Sequence, residues 1–377
     1  MNKKIAIIIS PNYKDYAKKY LAECFNSIKK QDYNGEMKIF ITDNESTEES
    51  YENLEKIVKE MDCGSEPAMT NAVEIVRNKN NGGFAKGNND CMKLALSRGF
   101  DYIILFNMDT VLEPDCVRKM AEVVEADKIP LAPFVKGGNS IGAVQARLML
   151  FNDKNKINSL GNITHFLGFG YAKGYGEEYK SPLPPLLKGA EIAYPSGAAV
   201  LFTREALEKA GLFDEEFWMY NEDQDLGWRL WLYGFKCVLA SEAVVYHKYE
   251  FSRSIKKYYF MDRNRIIATL KNYHWATYIL ITPACLIMEI GLLFFSARGG
   301  WLKEKIEVYK YFLSLKNWRY ILSERKKIQS LRVTPDKDII KLFSGRIWYQ
   351  EIGGRRLKIA NVIFNGYWKI IKVLIVW

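Results

Sequence analysis

At 377 residues the chain is long enough for one large domain or two modest ones. Its apolar fraction of 48% is that of an ordinary folded protein and excludes disorder over most of its length. The formal net charge is +10, with most acids in the first 250 residues and an excess of Lys, Arg and aromatics after Phe251. Such a tail points to an anionic partner, lipid or nucleic acid, or else to a solvated basic surface. Six cysteines without a CxxC pair, and three histidines, give little support for a disulfide framework or a Cys/His zinc site and fit a reducing compartment. The apolar run Ile5–Ile9 is too short for the core of a secretion signal, so no cleaved leader is expected.

In chain order, Lys4–Ile9 reads as a buried strand. Tyr16–Lys30 carries Tyr20, Leu21, Cys24, Phe25 and Ile28 at helical spacing. Met37–Thr42 is a second strand and Ser50–Met61 a second helix with Leu54, Ile57, Val58 and Met61 on one face. Ala72–Val76, Phe84–Ser97 and Tyr102–Phe106 follow as strand, helix and strand. This alternation predicts a parallel α/β sheet, whose ligands sit beyond the carboxyl ends of the strands. Residues 139–193, rich in Gly, Asn and Pro, read as extra strands such as Ala143–Leu150 and a long loop over the site. Tyr194–Thr203 is a strand, Arg204–Ala210 a short helix closed by Gly211, and Glu222–Tyr233 a helix ending at Gly234. Beyond Ser254 the chain is helical, aromatic and basic.

The residues following the four strands carry the chemistry. They are Asn12-Tyr13-Lys14, Asp43-Asn44-Glu45-Ser46-Thr47, the stretch from Asn80 to Asn89, and Asn107-Met108-Asp109-Thr110. Asp43 can accept the imide N–H of a uracil or thymine ring. Gly82, Gly83 and Gly87 let backbone N–H groups approach a phosphate or ribose, and the helix opening at Phe84 points its positive end there. Asp109 can bind a hard cation that neutralises a diphosphate. Taken singly, Asp43–Thr47 is also a turn plus helix cap, and Asp109-Thr110 also a cap for the helix near Pro114. The glycine loop is neither a P-loop nor GxGxxG.

Further on, Phe213–Leu230 interleaves acids with Phe213, Phe217, Trp218 and Tyr220 at the start of a helix. Capping and dipole placement account for one or two acids; the aromatics suggest a wall for stacking a sugar. In order, the motifs are Asn12-Tyr13, Asp43-Asn44-x-Ser46-Thr47, Asn81-Gly82-Gly83-Phe84-Ala85-x-Gly87-Asn88-Asn89 and Asn107-x-Asp109-Thr110. Ser196-Gly197-Ala198, Gly211-x-Phe213-Asp214-Glu215-x-Phe217, Glu222-Asp223-x-Asp225-Leu226 and His247 complete the series. From about Ile5 to about Tyr249 the sequence resembles the inverting glycosyltransferases of family 2, closest to their rhamnosyltransferase-like branch.

That resemblance implies a GT-A fold, a Rossmann-like mixed α/β sheet flanked by helices. The catalytic domain would span 1–253, with a nucleotide-binding part over 1–112 and an acceptor part over 113–253. It implies donor binding by Asn12, Asp43, Asn44, Asn81, Gly82, Gly83, Phe84, Gly87, Asn88, Asn107 and Asp109. Acceptor or sugar contacts would come from Gly197, Trp218, Glu222 and Arg229. Asp109 would hold Mg²⁺ or Mn²⁺, His247 being a second ligand or a core residue in equal measure, and Asp223 would be the catalytic base. Arg229, four residues after Asp225, would pair with it and leave Asp223 free. The implied reaction transfers a sugar, rhamnose from dTDP-rhamnose first and a UDP-hexose second, to a lipid-linked or polysaccharide acceptor in cell-surface glycan synthesis. A nucleotidyltransferase, a glycoside hydrolase and a binding protein are the rivals.

The remaining 254–377 read as a helical membrane-association region. Ala276–Ala297 has the length of a membrane span, with Thr282, Cys285, Glu289 and Ser296 near one face. Basic residues flank both ends, which disfavours a simple span and favours a helix lying in the interface. Trp348, Tyr367, Trp368 and Trp377 among Arg346, Arg355, Arg356, Lys369 and Lys372 have the composition of an interfacial anchor. The expected location is the cytoplasmic face of the plasma membrane. The expected partners are anionic lipid and a lipid-linked glycan, without nucleic acid and with room for a homo-oligomer.

Overall fold

The structure, a computed structural model, describes residues 3–62, 73–127, 140–180, 189–249, 256–348 and 355–377. Uncharged runs of isoleucine suit strands covered on both faces, and Ile5–Ile9 are fully buried. They lie in β1 (Ile5–Asn12), which pairs in parallel with both β2 (Met37–Asn44) and β4 (Tyr102–Phe106), while β2 pairs with β3 (Val73–Asn78). Helices α1 (Tyr16–Lys29), α2 (Glu48–Asp62) and α3 (Gly83–Ser97) make the crossovers. The expected alternation is therefore present. The strands run two or three residues further than their apolar cores, because Asn12, Asp43, Asn44 and Asn78 still pair across the sheet.

After β4 the chain forms β5 (Thr110–Leu112), α4 (Cys116–Asp127), β6 (Ile141–Leu150), β7 (Ile157–Ser159), β8 (Asn162–His165), β9 (Gly170–Ala172) and β10 (Ala190–Glu191). Then come β11 (Ala199–Thr203), α5 (Arg204–Ala210), α6 (Glu222–Leu232) and β12 (Lys236–His247). Strand β11 is antiparallel to β4 and β6, and β6 is parallel to β12. The result is one mixed ten-stranded sheet in the order β10-β12-β6-β11-β4-β1-β2-β3, with β5 on β12 and β7 on β6. The sheet and its helices are the architecture expected of the chain. The strand read at Ala143–Leu150 is present as β6, which begins at Ile141 and is an inner strand of the main sheet. One local expectation changes. The strand read from Tyr194 begins at Ala199, and Pro195-Ser196-Gly197 form the approach to it.

The C-terminal part comprises α7 (Lys256–Asn272), α8 (Trp275–Gly299), α9 (Leu302–Leu313), α10 (Leu315–Leu331), α11 (Asp336–Ile339), β13 (Phe343–Ser344) and α12 (Arg355–Leu374). The boundary read at 253/254, Cys63 and the side chains of Arg355 and Arg356 lie outside the described residues. These helices share a core with the sheet half. Trp228 of α6 meets Tyr273 and Phe343 edge-on at centroid distances of 4.6 and 4.8 Å. Strand β13 joins β8 and β9 in a three-stranded sheet. Part of the basic character of this region is spent internally, since Arg263, Arg265, Lys271, Lys305 and Arg325 are buried.

Helix α8 is, among the described residues, long and apolar enough to cross a membrane. Its polar stripe faces inward: Glu289 meets Arg265, Lys305 and Tyr309, and Thr277 and Ser296 are buried. The opposite face exposes Ile279, Leu286, Ile287, Ile290 and Phe294. Helix α12 docks beside it through Tyr367 Oη, which donates to Leu280 O at 2.6 Å, and exposes Val362, Ile363, Ile370 and Val373.

Candidate active site

The four strand ends meet at one edge of the sheet, tied together by their own side chains. Asn12 Nδ2 donates to Asp43 Oδ1 at 2.9 Å, and Asn12 Oδ1 accepts from Ala17 N at 3.0 Å. Asn44 Nδ2 donates to Gly83 O at 2.8 Å while its Oδ1 accepts from Asn78 Nδ2 at 3.1 Å. Asn12 and Asn44 are fully buried and serve to fix the loops against each other. Asn81 Oδ1 caps Gly83 N at 2.9 Å, and Asn88 Nδ2 donates to Phe84 O at 2.8 Å. Two buried oxygens here lack any hydrogen bond, Asn88 Oδ1 and Asn107 Oδ1. So does Asp43 Oδ2, the acceptor that the reading of a pyrimidine imide requires. Arg77 stands over it with Nε at 3.8 Å, also holding Glu48 at 2.6 Å and covering the ring of Tyr51 at 4.0 Å.

The glycines divide in role. Gly83 has φ +75, a left-handed conformation open to glycine, and a Cβ there would lie 2.3 Å from Trp218 O. At Gly87 a Cβ would lie 2.4 Å from Pro11, so this glycine lets α3 approach the end of β1 rather than a ligand. At Gly82 the added atom would meet the side chain of Lys86.

Asp109 follows β4 and meets His247, the last residue of β12, because β5 and β12 pair Thr110 with His247. His247 Nε2 lies 3.3 Å from Asp109 Oδ1, without the alignment of a hydrogen bond, and Tyr16 Oη donates to Asp109 Oδ2 at 2.9 Å. Burial pushes the Asp109 carboxyl up, but the neighbouring His247 ring and the Tyr16 hydroxyl outweigh it and hold it below the ordinary value. On the other side of the ring, Nδ1 lies 2.9 Å from Asn158 Oδ1. That oxygen makes Nδ1 the donor, so a cation taking the place of the Nε2 proton would find the Nε2 lone pair turned toward Asp109 Oδ1. Two acceptors facing each other across 3.3 Å fit a shared cation. No cluster of three or more His, Cys, Asp or Glu side chains suited to a metal occurs among the described residues, so Asp109 and His247 would be completed by oxygens of a bound ligand.

Asp223 sits in the first turn of α6, presented by a contorted approach in which Trp218, Tyr220 and Asn221 have φ of 61, 66 and 64. Such non-glycine backbone is costly and persists where surrounding contacts impose it. Here α7 imposes it: Asn264 Nδ2 donates to the carbonyls of Phe217, Met219 and Tyr220 at 2.9, 2.9 and 2.7 Å, and Arg263 Nη2 to Glu216 O at 2.6 Å. Asp223 Oδ2 accepts from Gly197 N at 3.1 Å and Oδ1 from Gln224 N at 2.8 Å. Burial raises its carboxyl to about 6 in spite of these backbone donors, which pull the other way. Glu222 is buried beside it and pushed well above the ordinary value, first by burial and then by the charge of Asp223. Glu222 Oε2 has no hydrogen-bond partner. A neutral Glu222 next to an Asp223 that ionises near 6 makes one donor and one base at the same wall. Both line a cavity of about 870 Å³ between the sheet half and helices α7, α8 and α12.

Three expectations are corrected by this geometry. Arg229 is not free for a sugar: it holds Asp225 at 2.8 Å, Leu212 O at 2.8 Å and Ala210 O, all internally. Its pairing with Asp225 is as expected, and Lys271 and Asn272 complete the burial of that carboxylate at 3.3 and 2.9 Å. Trp218 lies over the glycine loop and not in the cavity beside Asp223, its Nε1 donating to Asn81 O at 3.3 Å and its ring stacked on Phe260 at 4.9 Å. Of the aromatic wall, Phe213 and Phe217 are core residues and Tyr220 alone lines the cavity. Asn264, Arg263 and Asn158 were missed by sequence reasoning. Each acts on backbone or on a ring nitrogen from a distant segment, and no local pattern announces that.

No curated protein matches the sequence. Among solved structures, a Staphylococcus aureus TarS fragment described in complex with UDP is similar over 98% of this chain and 90% of its own, at 15% identity and a TM-score of 0.48. A mannosyltransferase from Pyrobaculum calidifontis, described in complex with GDP-Man and Mn²⁺, is similar over 88% and 86%, at 15% identity and a TM-score of 0.47. The profile described as Glycosyl transferase family 2 matches residues 7–211, more than half the chain, and takes in the ends of β1 to β4. The chain therefore belongs to glycosyl transferase family 2.

Proposed function

We propose that this transferase is a metal-dependent inverting enzyme acting on a nucleotide-sugar donor, with rhamnose from dTDP-rhamnose as its reaction in cell-surface glycan synthesis. The observation that carries the reading is Asp223, ionising near 6 at the wall of an 870 Å³ cavity and held by the N–H groups of Gly197 and Gln224. A base near the working pH takes a proton efficiently while remaining largely ionised. The acceptor hydroxyl gives its proton to Asp223 as its oxygen bonds to the anomeric carbon. The bond from that carbon to the diphosphate breaks on the opposite face, and the configuration inverts. Asp109 and His247 would hold Mg²⁺ or Mn²⁺, which when bound neutralises charge on the leaving diphosphate. Asp43, with its unpartnered Oδ2, receives the imide N–H of the pyrimidine once Arg77 gives way.

The apolar outer faces of α8 and α12, with Trp348 and Trp377 nearby in sequence, support a peripheral seat on the cytoplasmic leaflet, with α8 lying in the interface rather than crossing it. A thermal-shift screen of nucleotide sugars with and without Mn²⁺ tests the donor reading. Stabilisation should appear with dTDP-rhamnose and Mn²⁺ together, approaching about 2.7 kcal/mol at a hundredfold excess over Kd. Stabilisation by a UDP-hexose alone would reassign the sugar, and binding unaffected by EDTA would remove the metal.

A further inference from the structure

We infer that the cavity beside Asp223 is a channel for the apolar chain of a lipid-linked acceptor, with Arg298 meeting the phosphate that joins chain to sugar. The inference rests on the reading of Asp223 as the base, and extends it to the class of acceptor. Its volume of about 870 Å³ lies within the range of about 300–1,000 Å³ typical of sites that enclose a ligand. The wall supplied by α8 is a helical stripe of Met288, Gly291, Leu292, Phe295 and Arg298, recurring every three or four residues. Phe294 and Phe295 belong both to this wall and to the exposed apolar surface of α8, so the cavity is continuous with the face assigned to the membrane. Asp223, Glu222 and Tyr220 belong to the same cavity. Sugar rings stack on aromatics, but the aliphatic part of the stripe, Met288 and Leu292, offers a hydroxyl-rich glycan no partner and suits a chain drawn from the bilayer.

The cations of the cavity divide in the same sense. Arg265 is committed to Asp262 at 2.6 Å and to Glu289. Arg298 is exposed at the end of α8 and makes no hydrogen bond or ion pair with the described residues, leaving its guanidinium for an anion. Gly291, in the cavity wall, is the position at which the assignment can be tested. A Cβ built there meets nothing within 4 Å, so a larger side chain enters open space without disturbing the helix.

The probe is phytanyl phosphate bearing a diazirine on its chain, cross-linked by light to the whole protein and mapped by peptide mass. The expected result is labelling of Met288 and Leu292 in the parent, at least tenfold less in Gly291→Trp with an unchanged melting temperature. Phytanol, lacking the phosphate, should label the parent at least tenfold less, and Arg298→Gln should erase that difference. Labels confined to Ile287 and Ile290, on the outer face of α8, or equal labelling of the parent and Gly291→Trp, would overturn the channel. Equal labelling by phytanol would overturn the role of Arg298. Labelling needs no turnover, so the two claims separate. Labels at Met288 without sugar transfer from any nucleotide sugar would count against the enzyme reading alone. Transfer to a delipidated glycan without those labels would count against the channel alone.

Discussion

At the scale of single residues, Asp223 shows two opposed effects and which one wins. An acid in the first turn of a helix is stabilised as the anion by the dipole and by backbone donors, which would make it a weak base. Loss of solvent outweighs this and carries it to about 6. Its folded value thus lies above the ordinary 3.8, so its contribution to stability is complete below about pH 4 and is lost as pH rises through about 6. Asp223→Asn removes that loss. At about 1.4 kcal/mol for each unit between the two values, the variant should gain about 3 kcal/mol on the parent between pH 4 and pH 8 in denaturant titrations. A constant difference across that range would show that the carboxylate is solvated. The acids around Asp223 were visible in the sequence, but their protonation depends on burial by α7 and α8 and could not be read there. The same holds for Arg229, whose pairing with Asp225 followed from spacing while its burial did not.

The pair of Asp109 and His247 was legible as two candidates and not as a pair, because the antiparallel register of β5 on β12 joins them. His247→Ala should weaken the Mn²⁺-dependent part of donor binding by about tenfold to a hundredfold, as loss of a ligand or its support typically does. Calorimetric titration of nucleoside diphosphate with and without Mn²⁺ would check it, and a variant with parental Mn²⁺ dependence would make His247 a core residue.

At the scale of elements, β1 to β4 and α1 to α3 were readable because apolar runs and helical spacing alternate, whereas the short β5, read only as a loop or helix cap, exists through its pairing with β12. After 139 the strand at Ala143–Leu150 was readable, but its place inside the sheet was not, because it is fixed by partners β11 and β12 that come 50 or more residues later in the sequence. The turn before α6 is the clearest case of an element shaped from outside, since Asn264 gathers three of its carbonyls. Asn264→Leu, similar in size but without the donors, should lower kcat by about tenfold or more while leaving the KM for the donor within about twofold, because what it loses is orientation of the base. An equal loss in kcat and in donor affinity would mean that the turn also holds the donor loop through Trp218.

At the scale of the whole molecule, the charge count pointed to a basic tail, and the structure divides that charge. Lys271 and Arg229 neutralise Asp214 and Asp225 inside the molecule, and Arg265 and Lys305 neutralise Asp262 and Glu289. The outer faces of α8 and α12 are apolar, while Arg298, Lys303, Lys316, Arg319, Lys326 and Lys369 remain exposed. Ile287→Glu with Ile290→Glu should abolish sedimentation with vesicles of anionic phospholipid and leave the Mn²⁺-dependent donor shift intact; continued sedimentation would move the contact to another surface. Helix α8 and helix α12 also line the cavity around Asp223, so their apolar outer faces and the proposed base belong to one packed unit. The most direct test of the whole account is the release of nucleoside diphosphate from dTDP-rhamnose in the presence of Mn²⁺ and membrane acceptor, comparing parent with Asp223→Asn. The account predicts a loss of about a hundredfold or more with the donor still bound; turnover near that of the parent, or pyrophosphate as the product, would contradict it.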